Sequence, residues 1–383
     1  MSAREDATAR WSAAEDHAMS EAIRCAKRGR SSPHPNPRVG AVVVRGGEIV
    51  ARGHHERAGA PHAETAALEA AGEAARGATL VVTLEPCCHV GRTPPCTDAI
   101  LRAGIRRVVV GMIDPNPLVN GHGASRLRDA GVEVLVGARE EECQALNPAY
   151  LKWRATGLPH VTLKSMVSLD GRVATASGES RGLGGPEEQR LVHRLRAESD
   201  AVLIGVGTAL RDDPLLTVRL ASPANEPWRV VLDSSLRTPL DSRLIRSARE
   251  TPLVIATTQR TAARVAEYVS RGVTVWTFEE DSGGRVPLLP LLRRLAAEGT
   301  LEVLVEGGPT VHTSFLRAGL ADQVAVGIAP ILLGGATAPT WTGDLGRSAL
   351  ADGIEVGPLE MRRLGKDVWL TGKVAARDGE PHV

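Results

Sequence analysis

The chain has 383 residues, with 46 basic and 45 acidic side chains and a formal net charge of +1. That length predicts two to three domains, and 43% hydrophobic with 24% charged residues is the balance of a globular protein with a sizeable core. Near-neutral charge with only ten Phe, Trp and Tyr residues argues against a nucleic-acid binder, five cysteines against a disulfide scaffold, and the Gly- and Pro-broken apolar runs (residues 324–334, for example) against a membrane span.

Residues 1–15 are polar and without periodicity, and the first few form no apolar signal region, so a soluble cytoplasmic protein is expected. An amphipathic helix is predicted over 16–28. Residues 31–37 hold three prolines, which exclude helix and central strand. Residues 39–44 and 49–53 flank Gly46-Gly47 as a β-hairpin. Pro61 opens a helix over 62–76, with Ala63, Ala66, Ala67, Ala70 and Ala74 on one closely packing face. A strand over 79–84, a helix from Pro94-Pro95 to Gly104, a strand over 107–111, a helix over 123–131, a strand over 132–136 and one long helix over 140–154 follow. This alternation is one α/β domain, 1–157, closed by Gly157-Leu158-Pro159.

A second α/β domain, 158–383, is predicted to carry strands at 161–166, 201–206, 229–233, 253–256, 273–276, 301–305 and 323–328. Its helices fall at 186–197, 261–270, 288–297 and 310–317, with 368–374 as a final edge strand. No internal repeat is seen.

The densest chemistry lies in Pro61-His62-Ala63-Glu64 and in the run from Glu85-Pro86-Cys87-Cys88 to Pro95-Cys96. One imidazole and two thiolates are borderline-soft ligands suited to Zn²⁺, and three protein ligands leave a fourth position for water. Glu64, two residues past His62, is placed to shuttle a proton. His-x-Glu followed by Pro-Cys is the signature of zinc-dependent nucleobase deaminases, here with Cys87-x8-Cys96 in place of a shorter spacing. Cys88 is an alternative to Cys87 that the Pro86 context disfavours. Cys25 and Cys143 sit on helices and read as core.

These runs, with His34-Pro35-Asn36-Pro37-Arg38-Val39-Gly40, Gly91-Arg92-Thr93-Pro94-Pro95 and Asp114-Pro115-Asn116-Pro117, resemble the bifunctional riboflavin-biosynthesis deaminase/reductase family. The resemblance implies an N-terminal cytidine-deaminase-like three-layer α/β/α domain with ligands His62, Cys87 and Cys96 and with Glu64 as acid/base. It also implies Asn36 as a contact to the pyrimidine edge and Arg92 as a contact to the substrate phosphate. Cys88 departs from the family, which usually has Ser there.

In the second half, Gly205-Val206-Gly207 lacks the third glycine of a Rossmann fingerprint. Val303-Leu304-Val305-Glu306-Gly307-Gly308-Pro309-Thr310 reads instead as a strand, a glycine turn and a helix N-terminus suited to an anion such as dinucleotide phosphate. Only five of the 46 basic residues are lysine, and Lys164 stands on a strand leading into Ser168-Leu169-Asp170-Gly171. Residues 177–180 and 212–219 read as polar loops at strand ends. These strings resemble the reductase half of the same family, implying a C-terminal dihydrofolate-reductase-like α/β domain. The resemblance implies NADPH contacts from Met166, Gly182, Thr208, Asp212 and Gly308, Pro309, Thr310, Val311, His312, Thr313 and Ser314. It implies substrate contacts from Ser180, Arg196, Leu216, Arg219 and Glu306. Arg196 and Arg219 suit a phosphate by bidentate donation, and Lys164 or Glu306 is expected to protonate the reacting centre. Met166, Gly182 and Gly184 depart from the family pattern.

The implied function is deamination of 2,5-diamino-6-(5-phosphoribosylamino)pyrimidin-4-one, followed by NADPH reduction of the ribosyl group of 5-amino-6-(5-phosphoribosylamino)uracil to ribityl. The implied assembly is a homo-oligomer, dimer or tetramer, with no nucleic acid and no membrane as partner. Two rivals stand beside it. One is a deaminase of another nucleobase or nucleoside with a degenerate reductase domain, and the other a zinc-stabilised dinucleotide-sensing module.

Overall fold

In the computed structural model, which describes residues 11–29, 36–91, 93–221 and 226–375, the chain divides into two units, residues 1–156 and 157–383. The first unit opens with α1 (Ala13–Ala26). Its start is fixed by a capping box: the Ser12 hydroxyl accepts from Glu15 N–H, and the Glu15 carboxylate accepts from Ser12 N–H. The helix therefore begins three residues before the hydrophobic pattern indicates. β1 (Gly40–Arg45), β2 (Glu48–His54), β3 (Thr79–Leu84), β4 (Arg107–Met112) and β5 (Glu133–Val136) form one sheet in the order β2-β1-β3-β4-β5. β2, β1 and β3 pair antiparallel, and β3, β4 and β5 parallel.

Side chains alternate across this sheet, as a period of two requires. Val43, Leu80, Val82, Val108 and Val110 face α2 (Ala63–Ala71), α3 (Cys96–Arg102) and α4 (His122–Asp129). Val42, Val44, Val81 and Val109 face α1 and α5 (Glu140–Gln144). The result is a three-layer α/β/α unit. Gly53 on β2 lets α2 approach closely, because a Cβ there would stand 2.3 Å from Ala63 O and 2.5 Å from Ala67 N. α2 stops at Ala71, where Gly72 turns to φ +53° and a 3₁₀ turn follows. The helix expected over 140–154 is two helices, α5 and α6 (Pro148–Thr156). Pro148 has no N–H to continue the first, and the intervening Asn147 side chain pairs with both backbone groups of Arg38.

Among the described residues, the second unit is built on nine strands in the order β10-β9-β8-β7-β11-β6-β12-β14-β13. These are β6 (His160–Ser168), β7 (Ala201–Gly205), β8 (Trp228–Leu232), β9 (Leu253–Thr257), β10 (Thr274–Thr277), β11 (Glu302–Gly307), β12 (Gln323–Ala329), β13 (Glu360–Leu364) and β14 (Asp367–Lys373). All neighbours from β10 to β12 are parallel; β14 and then β13 add antiparallel. The expected edge strand, β14, is therefore interior. The edge is β13, whose Glu-Met-Arg-Arg-Leu sequence lies mostly exposed and carries no apolar alternation.

Helices cover both faces: α7 (Pro186–Glu198), α8 (Val206–Asp212), α9 (Arg243–Arg246), α10 (Ala262–Val269), α11 (Leu288–Ala297) and α12 (Pro309–Arg317). Residues of one strand go alternately to two cores, for example Leu203 with Phe315 and Leu292, and Ile204 with Leu244 and Tyr268. Asp212, expected in a polar loop, closes α8 instead. Among the described residues no helix is long and apolar enough to cross a membrane.

Candidate metal centre and reductase cleft

In the first unit, three sequence-distant ligands meet because each sits where a strand or loop hands over to a helix. His62 is the N-cap of α2, Cys96 is the first residue of α3, and Cys87 follows β3 in the intervening loop. Their ligand atoms all lie within 4.8 Å of one another. His62 Nδ1 is 3.2 Å from Cys96 Sγ and 3.6 Å from Cys87 Sγ. Tetrahedral bonds of about 2.0 Å to nitrogen and 2.3 Å to sulfur require an N···S separation of about 3.6 Å, so the donor set fits zinc. With Nδ1 turned to the sulfurs, His62 Nε2 donates to Thr93 Oγ1 at 3.3 Å, a contact that fixes the ring.

Glu64 lies in the first turn of α2 and is 3% exposed. Burial, and then the Cys87 charge, push its carboxyl up to about 7. Hydrogen bonding from Cys96, against burial and with help from His62, holds the Cys87 thiol down to about 4. A thiolate ligand and a carboxyl able to take and give a proton near neutrality thus share one pocket.

Two neighbours escaped the sequence reading. His55 is buried, and burial lowers its pKa, so the ring is neutral. Its Nδ1 donates to Pro61 O at 3.1 Å, which leaves Nε2 to accept from Asn36 Nδ2 at 3.0 Å. His55 therefore ties Asn36 to the start of α2. Glu85 is also buried, and its carboxylate accepts N–H groups from Asp114 (3.2 Å), Gly121 (2.8 Å) and Ala124 (2.9 Å). It fastens the 114–124 loop to the strand end that leads to Cys87. The Asp114-Pro115-Asn116-Pro117 run is a corner of that loop, in which Asp114 accepts from Tyr150 Oη at 2.8 Å. Cys88 turns its Sγ to Leu118 O, away from the ligand cluster, while Cys25 and Cys143 are buried in the core. Arg92, and residues 31–35 of the proline-rich loop, lie outside the described residues.

In the second unit, a cavity of about 260 Å³ opens at the carboxyl ends of β6, β7 and β11. This is where parallel α/β sheets commonly bind ligands. β6 alternates, with Val161 and Leu163 in the core and Lys164 and Met166 on the other face. Of the residues expected here, Lys164, Met166, Ser180, Gly182, Thr208, Asp212, Glu306, Gly308, Pro309 and His312 line the cavity. Gly308 caps α12, and a Cβ on it would stand 3.3 Å from Thr208 Oγ1; at Gly182 and Gly207 a Cβ would meet nothing within 4 Å. Bare backbone and a helix N-terminus in one wall fit a dinucleotide whose flat ring and pyrophosphate lie against main chain.

The remaining residues expected to line the cleft do not. Helical periodicity turns only Pro309 and His312 of α12 inward. Val311 packs against Gly205, Thr310 is exposed, Ser314 bonds Thr310 O, and Thr313 bonds Pro309 O and Gly343 N. Leu216 is 2% exposed, at φ +55°, with its side chain in the core. Arg196 does not present its guanidinium to an anion from solution. Nε and Nη2 are paired with both Glu306 oxygens at 2.5 and 2.7 Å, and Nη1 donates to Thr217 O at 3.3 Å. Burial alone would raise the Glu306 carboxyl, but Arg196 outweighs it and holds the group below the usual carboxylate range. Arg219 is exposed beside this pair, its Nη1 on Thr217 Oγ1 at 2.9 Å and its N–H on His193 Nδ1 at 3.1 Å.

Residues 159–370 match the family described as the RibD C-terminal domain, and residues 12–112 the cytidine and deoxycytidylate deaminase zinc-binding region. The riboflavin biosynthesis protein RibD of Aquifex aeolicus is 43% identical over 350 residues, 91% of this chain and 96% of that protein. The solved structure of Acinetobacter baumannii RibD (form 1) superposes with a TM-score of 0.83 at 38% identity, covering 94% of this chain and 99% of that one. A Thermotoga maritima structure described as a diaminohydroxyphosphoribosylaminopyrimidine deaminase/5-amino-6-(5-phosphoribosylamino)uracil reductase does so at 0.81 and 34% identity, with 94% and 99% coverage.

A cytidine-deaminase-like unit holding a zinc-type donor set, joined in one chain to a dihydrofolate-reductase-like unit, is a bifunctional deaminase and reductase. The chain belongs to the RibD family of riboflavin biosynthesis proteins. Similarity running through both units leaves the single-activity deaminase and the sensing module without support.

Proposed function

We propose that residues 1–157 deaminate 2,5-diamino-6-(5-phosphoribosylamino)pyrimidin-4-one and that residues 158–383 reduce 5-amino-6-(5-phosphoribosylamino)uracil at its ribosyl group with NADPH. The observation that carries this reading is the buried Glu64 carboxyl beside the convergent His62, Cys87 and Cys96, in a chain that also carries the Lys164–Glu306 cleft.

His62, Cys87 and Cys96 would hold a zinc ion. When bound, the metal would supply Lewis acidity that brings the pKa of water to about 7. Glu64 takes a proton from the attacking water and passes it to the departing amino nitrogen, so that a C–O bond forms, the C–N bond breaks and ammonia leaves. Asn36, oriented by His55, meets the pyrimidine edge. Arg92 meets the substrate phosphate, as the resemblance implies.

In the cleft, Gly182, Thr208, Asp212 and the Gly308–Pro309 turn would hold NADPH, which would supply hydride. The C1′–O4′ bond of the ribosyl group breaks, C1′ gains hydrogen, and O4′ needs a proton. Glu306 has none to give, because its carboxylate is held ionised by Arg196. The Lys164 ammonium, facing the cavity, is the donor. Ser180, in the cleft wall, meets the phosphoribosyl group, and Arg219, exposed beside the Arg196–Glu306 pair, is the cation nearest to hand for its phosphate. The chain acts in the cytoplasm as a homo-oligomer, dimer or tetramer, which light scattering measures directly.

The test follows both products from the purified, zinc-loaded protein given the diaminopyrimidine. Ammonia release without NADPH, and NADPH oxidation once the deaminated product forms, are expected. Absence of both refutes the reading.

A further inference from the structure

Glu188 is a buried carboxylate that the reactions above leave unused. It lies in the first turn of α7, and Val192 and Arg196 follow it at four-residue intervals, so the three share one helix face. That face meets the cleft side of β6 and β11. Arg196 pairs with Glu306, and Glu188 Oε1 stands 3.0 Å from Lys164 Nζ, the two side chains 8% and 13% exposed. β6 and β11 run side by side with Val305 opposite Leu163, so Lys164 and Glu306 are neighbours one step further on. Charges thus alternate in sign from Glu188, Lys164 and Glu306 in the cleft wall to Arg196 behind it.

Two further observations single out Glu188. Among the described residues no neutral donor reaches its buried Oε1, which leaves the Lys164 ammonium as its counterpart. A Cβ at residue 184 would come within 2.6 Å of Oε2 and 2.9 Å of Cδ, so any side chain there would make the carboxylate shift from its present place.

We propose that Glu188 is a positioning residue for the reduction: paired with Lys164, it keeps the ammonium off Glu306 and aimed at the departing ring oxygen. The proposal rests on Lys164 being the proton donor. Without Glu188, the Glu306 carboxylate on the adjoining strand remains an anion whose charge Lys164 feels, and the flexible four-carbon stem of lysine swings the ammonium toward it. The cofactor and the substrate still bind, but the proton is no longer delivered where O4′ leaves. Gly184 belongs to the same device, since a branched side chain there pushes Glu188 away from Lys164.

The test uses the full chain and steady-state NADPH oxidation with 5-amino-6-(5-phosphoribosylamino)uracil. Glu188→Gln is expected to lower kcat roughly ten- to hundredfold. KM for NADPH and for the pyrimidine should stay within about threefold, and Glu188→Asp should recover part of the loss. The primary deuterium isotope effect on kcat, read with NADPH labelled at the transferred hydrogen, should rise in the Gln variant. Gly184→Val should repeat the kcat loss with Glu188 intact. Unchanged KM for NADPH and an unchanged unfolding midpoint show that the reductase unit of each variant is folded, and ammonia release from the diaminopyrimidine by the same samples should match the unaltered chain. If both Glu188→Gln and Gly184→Val keep kcat within twofold while Lys164→Met abolishes reduction, the role of Glu188 is overturned and that of Lys164 stands. If Lys164→Met reduces at the full rate, both fall.

Discussion

Replacing Arg196 by methionine would leave the Glu306 carboxylate buried without its two-point partner. The side chains of this pair are only 12% and 9% exposed, so water cannot take the place of the guanidinium. Removing one member of a buried pair costs about 3–5 kcal/mol, and the nearby Lys164 ammonium keeps the loss toward the lower end. For a domain of this size each kcal/mol moves the unfolding midpoint by about 2–4 °C, so a fall of about 10 °C near neutral pH is expected. The pH dependence follows from the sign of the Glu306 shift. In the unaltered chain its carboxyl lies below the ordinary value. The pair therefore stabilises above the unfolded carboxyl range, about pH 4.3, and the contribution is lost as pH falls through the lower folded value. In the variant burial acts with much less opposition, the folded pKa moves above the unfolded one, and destabilisation grows as pH rises past it. Scanning calorimetry at about pH 5 and pH 8 should show the larger deficit at pH 8. Adding Glu306→Gln to the methionine variant should recover most of it. A midpoint within about 2 °C of the unaltered chain at pH 8, or a deficit that does not change with pH, refutes the assignment of this pair.

Glu64→Gln should cut ammonia release at least about a hundredfold while the zinc content, read by plasma mass spectrometry, is unchanged; lost zinc would make Glu64 a ligand. His62→Ala or Cys96→Ser should lose both the metal and deamination, yet still oxidise NADPH with the uracil substrate supplied directly. Should those variants keep bound zinc at the normal stoichiometry, the ligand set is wrong. Glu85→Gln should weaken its three charge-assisted bonds to the 114–124 loop, and hydrogen exchange in that loop should accelerate. Unchanged protection there removes Glu85 as the fastener.

The metal centre was legible because its ligands come as short, dense motifs at helix starts, where spacing alone implies convergence. Lys164 stood out by rarity, and the glycine turn after β11 by its pattern. The partners of buried charges were not legible: Arg196 and Glu306 are 110 residues apart, and nothing local in either segment records the other. Glu85 was hidden for a different reason, since its partners are backbone N–H groups that every residue type offers. His55 could have been found by asking what holds Asn36. The break between α5 and α6 is written in Pro148, whose missing N–H outweighs the apolar period running through both helices. β13 left no hydrophobic trace because it is an exposed edge held by β14 alone.

The near-contact of Gly53 with α2 sets a tolerance on deamination. The helix that bears the Glu64 carboxyl is seated backbone to backbone on a strand, so its height above the sheet is fixed by the absence of a single carbon atom. A methyl group at residue 53 would lift α2, and a displacement of about 1 Å at reacting groups is enough to cost roughly two orders of magnitude in rate. Substrate preference in such a scaffold has to be varied through the surrounding loops, because the platform under Glu64 has no slack to give.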